Sequence, residues 1–563
     1  MSHPYSPSNN PDKTGNSDHQ LADSISEADG QLTKCYRFLP FLNIIAWIML
    51  IACVILASFY SWKNCATVYE SNYWSAHRMF FPHVLLSDNN LYSTTTKGNY
   101  QFHIYGPLFP LYYLPATLAK NYRHEVIAGT FMSFLALLLP LTFVFYSVFR
   151  QNLRGGPLIY AVIVSLTAIS YLFQSAMSNV AFRLHVDSMA IGSSLLSMGF
   201  LALYHNKKTV YYLMLSGCFL SISIFSKQTT ALLVLLPFGY LFFNKQNGNR
   251  FKNLLLFFSP IFAISLLLLA HYGWDALYTN LFEMAKNHPL RRYNPYGDGS
   301  LYYFSQQLLL PYAEHQSVIE KIKIIFYNTD YFVVKNTFLC FLPPLLALSC
   351  FTNLESLRLK FLEKLLLAAL PLFALTSILG FSKIGGDMSS MGYFLVVIFT
   401  LAITRLTTHL SSGQFRFIKM GCLLIVPLII FGMGVYRTVS FYKGNHHTRP
   451  SRGELVYNYC LQNPGTVYFP AFNFEQFHAE KALYPVSDTL YSFDLANLAI
   501  KEDVLRKVLP QDVEYVVMDQ KDPGYLTVKR LYKHLFTHIP VIDYDQLDEI
   551  LREQGDAFYP SKK

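Results

Sequence analysis

The sequence predicts a mainly α-helical, polytopic membrane protein of about 11 transmembrane helices with a small mixed α/β domain outside the membrane. Three observations carry that reading. Of 563 residues, 52% are hydrophobic and only 14% charged, with 47 Phe and 40 Tyr, far more apolar surface than a soluble core uses. Apolar runs of about 18 residues or more recur, the length that the hydrocarbon core of a bilayer requires. The connections between these runs are basic in alternation, as cytoplasmic loops are. The formal charge of +10 does not indicate nucleic-acid binding, because the cations are scattered among loops rather than gathered on one face.

In chain order, residues 1–39 are polar, rich in Ser, Asn and Asp, and read as a disordered cytoplasmic tail. A cleavable signal peptide is not expected there. Spanning helices are expected near 40–60, 125–148, 157–176, 185–204, 210–225, 229–244, 253–272, 332–351, 361–381, 389–406 and 419–437. The odd count puts the termini on opposite sides. Arg150 to Arg154, Lys207-Lys208, Lys245 to Lys252, Arg358 to Lys364 and Arg405 to Lys419 then share one face, the cytoplasmic one. Residues 61–124, 273–331 and a C-terminal domain, 438–563, fall outside. That domain carries amphipathic helical stretches and β-like runs at Thr466–Phe469 and Val513–Met518. Cys65 and Cys460 both fall on the outer face, where a disulfide is chemically open to them.

Arg183, Lys227 and Lys383 occupy short breaks on the outer face, where cations are not expected. Each precedes an inward-running helix, whose N-terminus offers free N–H groups and the positive end of the dipole. A cation beside such an N-terminus suits a phosphate, which Arg183 would hold bidentately and the lysines as point charges. The alternative has the lysines snorkelling to head groups and Arg183 pairing with Asp187 one turn later. Lys227-Gln228-Thr229 and Lys383-Ile384-Gly385-Gly386-Asp387 favour the first reading, since paired glycines let a backbone approach a ligand. Glu70, beside Tyr69, Tyr73 and Trp74, is the nearest outer carboxylate to the membrane and a candidate base, with Asp88 the second. The run His103 to Tyr113, with Tyr105-Gly106-Pro107, is too short to span and suits the interface. His77, His83 and His103 match no familiar ligand spacing, so no metal is expected.

In this order of parts the chain resembles the GT-C glycosyltransferases, which include protein O-mannosyltransferases and the bacterial aminoarabinose transferase of lipid A. Glu70, Tyr105-Gly106-Pro107, Arg183 with Asp187, Lys227-Gln228-Thr229 and Lys383-Ile384-Gly385-Gly386 carry the resemblance, over about residues 40–437. The family commonly has an Asp-Glu pair in the first outer loop, whereas Glu70 stands alone here. The resemblance implies a polyprenyl-phosphate-linked sugar as donor and a lipid, glycan or protein as acceptor. It also implies inversion at the anomeric carbon and a multi-pass place in a bacterial inner membrane, N-terminus cytoplasmic and C-terminus outside. Arg183, Lys227 and Lys383 would bind the donor phosphate and Glu70 or Asp88 would serve as base, with Arg291, Arg292 and Tyr296 shaping the acceptor side. No nucleotide, other cofactor or nucleic-acid partner is expected. A surface polysaccharide polymerase or ligase is the nearest rival; a transporter fits less well, because the helix interiors carry almost no charge.

Overall fold

The computed structural model describes residues 74–87, 103–152, 180–244, 249–288, 317–335, 360–383, 388–410, 452–496 and 541–559 with few gaps, and scattered positions between them. Its elements are α1 (Trp74–Leu86), α2 (Leu108–Tyr113), α3 (Tyr122–Asn152), α4 (Val186–Lys207), α5 (Val210–Ile224) and α6 (Leu235–Phe243). There follow α7 (Arg250–Tyr272), α8 (Val318–Lys335), α9 (Phe361–Ser382) and α10 (Gly392–Leu410). The C-terminal part holds α11 (Arg452–Gln462), β1 (Val467–Tyr468), α12 (Asn473–Glu480), α13 (Ser487–Leu495), β2 (Tyr515–Val517), β3 (Val541–Ile542) and α14 (Tyr544–Glu553).

Four of these helices are long and apolar enough to cross a membrane: α3 over Tyr122–Val144, α4, α7 and α9. On α7, Phe251, Leu255, Phe262, Leu266 and Leu267 are all exposed. Asn253 and Phe257 on the other side are buried where α7 packs against α5, and an apolar helix face left uncovered by protein is one that faces lipid. α4 is its opposite, mostly buried among α3, α5 and α9. Its small residues make that possible. A Cβ at Gly192 would stand 1.8 Å from the Ala136 carbonyl oxygen, so only glycine lets α3 and α4 approach so closely. Ser194 and Ser223 share a hydrogen bond of 2.7 Å across α4 and α5, and the Ser216 hydroxyl donates to the Ser197 carbonyl at 2.8 Å.

Several expectations change. The expected span at 229–244 opens as a 3₁₀ turn, Gln228–Val234, before α6; that at 389–406 opens with another, Met388–Met391. The boundary expected at 331–332 falls inside α8, whose Glu320, Lys321, Lys323 and Asp330 give it more charge than the four apolar helices above carry. Arg405, counted above among loop cations, lies within α10 and is buried against Glu363 of α9, 3.3 Å away. The expected spans 40–60, 157–176, 332–351 and 419–437 lie outside the described residues apart from scattered positions and the end of α8.

The C-terminal part contains a three-stranded parallel sheet in the order β1-β2-β3, with Val467 opposite Tyr515 and Val516 opposite Val541. The expected strand runs contain β1 and β2. Cys460 is a buried free thiol, while Cys65 lies outside the described residues. α12 joins this domain to the membrane helices, because Phe474 packs in one cluster with Phe80 and Val84 of α1, Val126 of α3 and Leu184.

Glu475, on the same helix, is fully buried, and neither carboxylate oxygen takes a hydrogen bond from another residue. Burial pushes its pKa up to about 8. A raised folded pKa means the acid folds protonated. Its stabilising contribution is complete below the unfolded value and disappears as pH rises from there through about 8. Glu475→Gln is therefore expected to stabilise the protein at neutral pH by on the order of 3 kcal/mol, with the gain vanishing near pH 4. Thermal unfolding of the detergent-purified protein across pH checks this; equal gains at both pH values contradict it.

Candidate functional site

The break before α4 is built by its own side chains. His185 is extended (φ −141°), and its Nδ1 accepts the Asp187 backbone N–H at 3.2 Å as an N-cap. Asp187 then sits in the first turn, where the helix dipole favours a carboxylate. Its Oδ1 receives Lys227 Nζ at 2.5 Å and the Tyr393 hydroxyl at 2.8 Å, all three groups being buried. His185 Nδ1 also stands 2.9 Å from Asp187 Oδ2, but one unprotonated nitrogen cannot cap the helix and donate to a carboxylate. The capping contact is the aligned one, whereas Oδ2 has no hydrogen-bond partner. His185 thus carries its proton on Nε2, which donates to the Ser389 hydroxyl at 3.0 Å.

Lys227 reaches Asp187 because α5 stops at Ile224. The Phe225 N–H bonds Ser221 O at 2.9 Å, the Lys227 backbone turns extended (φ −142°), and the 3₁₀ turn then begins. The carbonyls of Phe225 and Ser226 receive the N–H groups of Leu108 and Gly106, each at 3.0 Å. A Cβ at Gly106 would lie 1.8 Å from Phe225 O, so this contact also demands glycine. Gln228 Nε2 completes the joint by donating to Ile104 O at 2.9 Å and Leu281 O at 3.1 Å. The Tyr105-Gly106-Pro107 segment and the Lys227-Gln228 break are one unit.

Lys383 corrects an expectation. It does not open a helix; it is the C-cap of α9, where the negative end of a dipole favours a cation. Its backbone bridges Leu290, and its Nζ donates to Ala285 O at 3.0 Å. Burial, then the charges of Lys227 and Lys321, hold its pKa down to about 8.

Arg183 is part-buried two residues before His185. Glu70, Asp88, Arg291, Arg292, Tyr296, Gly385 and Gly386 lie outside the described residues. His77 donates to Ala471 O at 2.7 Å, and His103 stacks on Phe109, so neither joins His83. The reading of the sequence missed His185, Tyr393, Ser389 and Arg78, whose Nη1 donates to Leu184 O at 2.5 Å. His185 alone left a signal, standing at cap distance from Asp187; nothing in the sequence marks Tyr393 in an apolar run or Arg78 in the outer segment.

No family model and no curated protein matches the sequence. Solved structures do align with it. The oligosaccharyltransferase of Archaeoglobus fulgidus, in complex with Zn and sulfate, aligns over 82% of this chain and 67% of its own, at 12% identity and a TM-score of 0.43. ArnT of Cupriavidus metallidurans bound to undecaprenyl phosphate aligns over 90% of this chain and 91% of its own, at 10% identity and a TM-score of 0.37. Its apo form aligns over 90% of both chains, at 11% identity and a TM-score of 0.35.

Proposed function

We propose that this protein is an integral membrane glycosyltransferase that moves a sugar from a polyprenyl-phosphate-linked donor to a lipid, glycan or protein acceptor on the non-cytoplasmic face, with inversion. The observation that carries the reading is the surplus of positive charge at buried Lys227 and part-buried Lys383, against which Asp187 is the one acid in contact among the described residues. An anion entering beside the two lysines restores balance, and a phosphate is the anion that a bilayer-borne carrier brings. Undecaprenyl phosphate, the ligand of the ArnT structure, is a carrier of this class.

In the reaction the bond from the anomeric carbon to the phosphate oxygen breaks, and the acceptor oxygen bonds to that carbon from the opposite face. The acceptor proton passes to Glu70 or Asp88. The leaving phosphate gains charge, which Arg183, Lys227 and Lys383 stabilise in a site partly cleared of water. Asp187 fixes the Lys227 ammonium in place, His185 and Tyr393 fix Asp187, and Gln228 fixes the break itself. Arg291 and Arg292 contact the acceptor. The protein is multi-pass in a bacterial inner membrane, N-terminus cytoplasmic, C-terminal domain outside.

The test is transfer of radiolabelled sugar from polyprenyl phosphate in proteoliposomes. Arg183→Ala is expected to abolish transfer while leaving the melting temperature unchanged; full activity in that variant removes the phosphate clamp. Glu70→Gln is expected to be inactive and Asp88→Asn active if Glu70 is the base, with the reverse result assigning the role to Asp88.

A further inference from the structure

Away from the Asp187 group, three side chains from distant parts of the sequence meet where the outer domain sits on the membrane helices. His83 comes from the last turn of α1, Glu125 from the first turn of α3 and His478 from the last turn of α12. One ligand atom from each lies within 4.8 Å of the others. His83 Nε2 is 2.6 Å from Glu125 Oε2, and His478 Nε2 is 3.2 Å from Glu125 Oε1. Their side chains are 13%, 3% and 12% exposed.

His478 Nε2 is itself shut off from solvent and has no hydrogen-bond partner, its approach to Oε1 being out of line for one. A buried imidazole nitrogen left unmatched beside a carboxylate asks for a third body. We propose that His83, Glu125 and His478 form a binding site for a divalent transition metal, Zn²⁺ by its ligand set.

Two imidazoles and a carboxylate are a zinc donor set that leaves a fourth position for water. The same set can hold iron, which needs further open positions for its chemistry. Those are scarce here. Phe477 lies 4.8 Å from the His83 ring, Phe474 lies 4.8 Å from the His478 ring, and Tyr122 lies 6.0 Å from the latter. Zinc bonds of about 2.0–2.1 Å in a tetrahedron place ligand atoms roughly 3.3 Å apart. The 3.2 Å pair already has that spacing. The 2.6 Å pair, a hydrogen bond without metal, opens by well under 1 Å as zinc replaces its proton. The metal ties α1, α3 and α12 together, fixing the outer domain on the membrane helices. The site uses none of the residues assigned above to the donor.

The experiment uses the full-length protein in detergent, purified without a histidine tag, stripped with chelator and titrated with Zn²⁺ and separately with Co²⁺. One equivalent is expected to bind, to raise the melting temperature and, as Co²⁺, to give the intense visible bands of a tetrahedral site. His478→Ala is expected to weaken binding on the order of 100-fold or more, since even outer-shell losses reach that range. His478→Cys keeps a metal ligand but not an imidazole. It is expected to restore binding and to add a thiolate-to-cobalt charge-transfer band. No binding by the wild-type protein, or binding that His478→Ala leaves unchanged, overturns the proposal. So does a His478→Cys variant that folds and binds no metal, since the three residues are then a hydrogen-bonded clasp.

Discussion

Asp187→Ala is expected to destabilise the protein by about 3–5 kcal/mol, the range for breaking a buried ion pair from one side. Asp187 is wholly buried, and the Lys227 side chain it pairs with is 9% exposed. Removing the carboxylate leaves an ammonium and the Tyr393 hydroxyl without their shared acceptor, and neither can turn to water. Lys227→Met alone does the same in reverse, stranding a carboxylate. The double variant Asp187→Leu, Lys227→Met removes both charges and is expected to recover much of the lost stability, because matched apolar residues often replace a buried pair at little cost. It is expected to show no transfer. That combination separates a structural pair from a functional one, since a purely structural pair could be replaced without loss of activity. Thermal unfolding of the wild type, Asp187→Leu, Lys227→Met and the double variant in a double-mutant cycle reads the coupling. Additive effects would contradict a direct, buried Asp187–Lys227 contact.

How much of this was readable beforehand depended on distance along the chain. Apolar runs mark α3, α4, α7 and α9 plainly, because spanning a bilayer imposes a length that shows in composition. The polar breaks at 183–187 and 227–228 were equally plain, since charge interrupting an apolar run is conspicuous. The partner of Asp187 was not. The nearest cation, Arg183, stands four residues away and suits a helical pair, whereas Lys227 stands 40 residues on and meets it only because α4 and α5 pack side by side. Lys383 was placed in the right break but at the wrong end of a helix, since α9 runs to Ser382 and the lysine caps its end. Arg405 was misread for a related reason. Its carboxylate partner, 42 residues earlier, turns a loop cation into a buried one. His83, Glu125 and His478 show the limit, because three elements must be folded before their spacing means anything.

Lys383→Ala is expected to reduce kcat/KM for transfer by about 10²–10³-fold, the usual effect of removing one group that stabilises charge on a leaving oxygen. The pH dependence gives the sharper test. A pKa brought down to about 8 means that Lys383 is charged below that pH and neutral above it. If Lys383 holds the donor phosphate as proposed, its attraction is expected at pH 7 and is expected to decline as pH rises through about 8, where an ordinary lysine would hold its charge two units further. This alkaline limb belongs to the free enzyme and appears in kcat/KM. Once phosphate is bound, its negative charge favours the ammonium, so the limb in kcat moves to higher pH. Lys383→Arg keeps its charge throughout and is expected to remove the limb from kcat/KM. Lys321→Ala takes away one of the neighbouring charges that hold the lysine down, and is expected to shift the limb upward without abolishing it. A kcat/KM profile that stays flat to pH 10 in the wild-type protein, or a limb near 8 that survives Lys383→Arg, assigns the alkaline titration to another group and takes Lys383 out of the donor site.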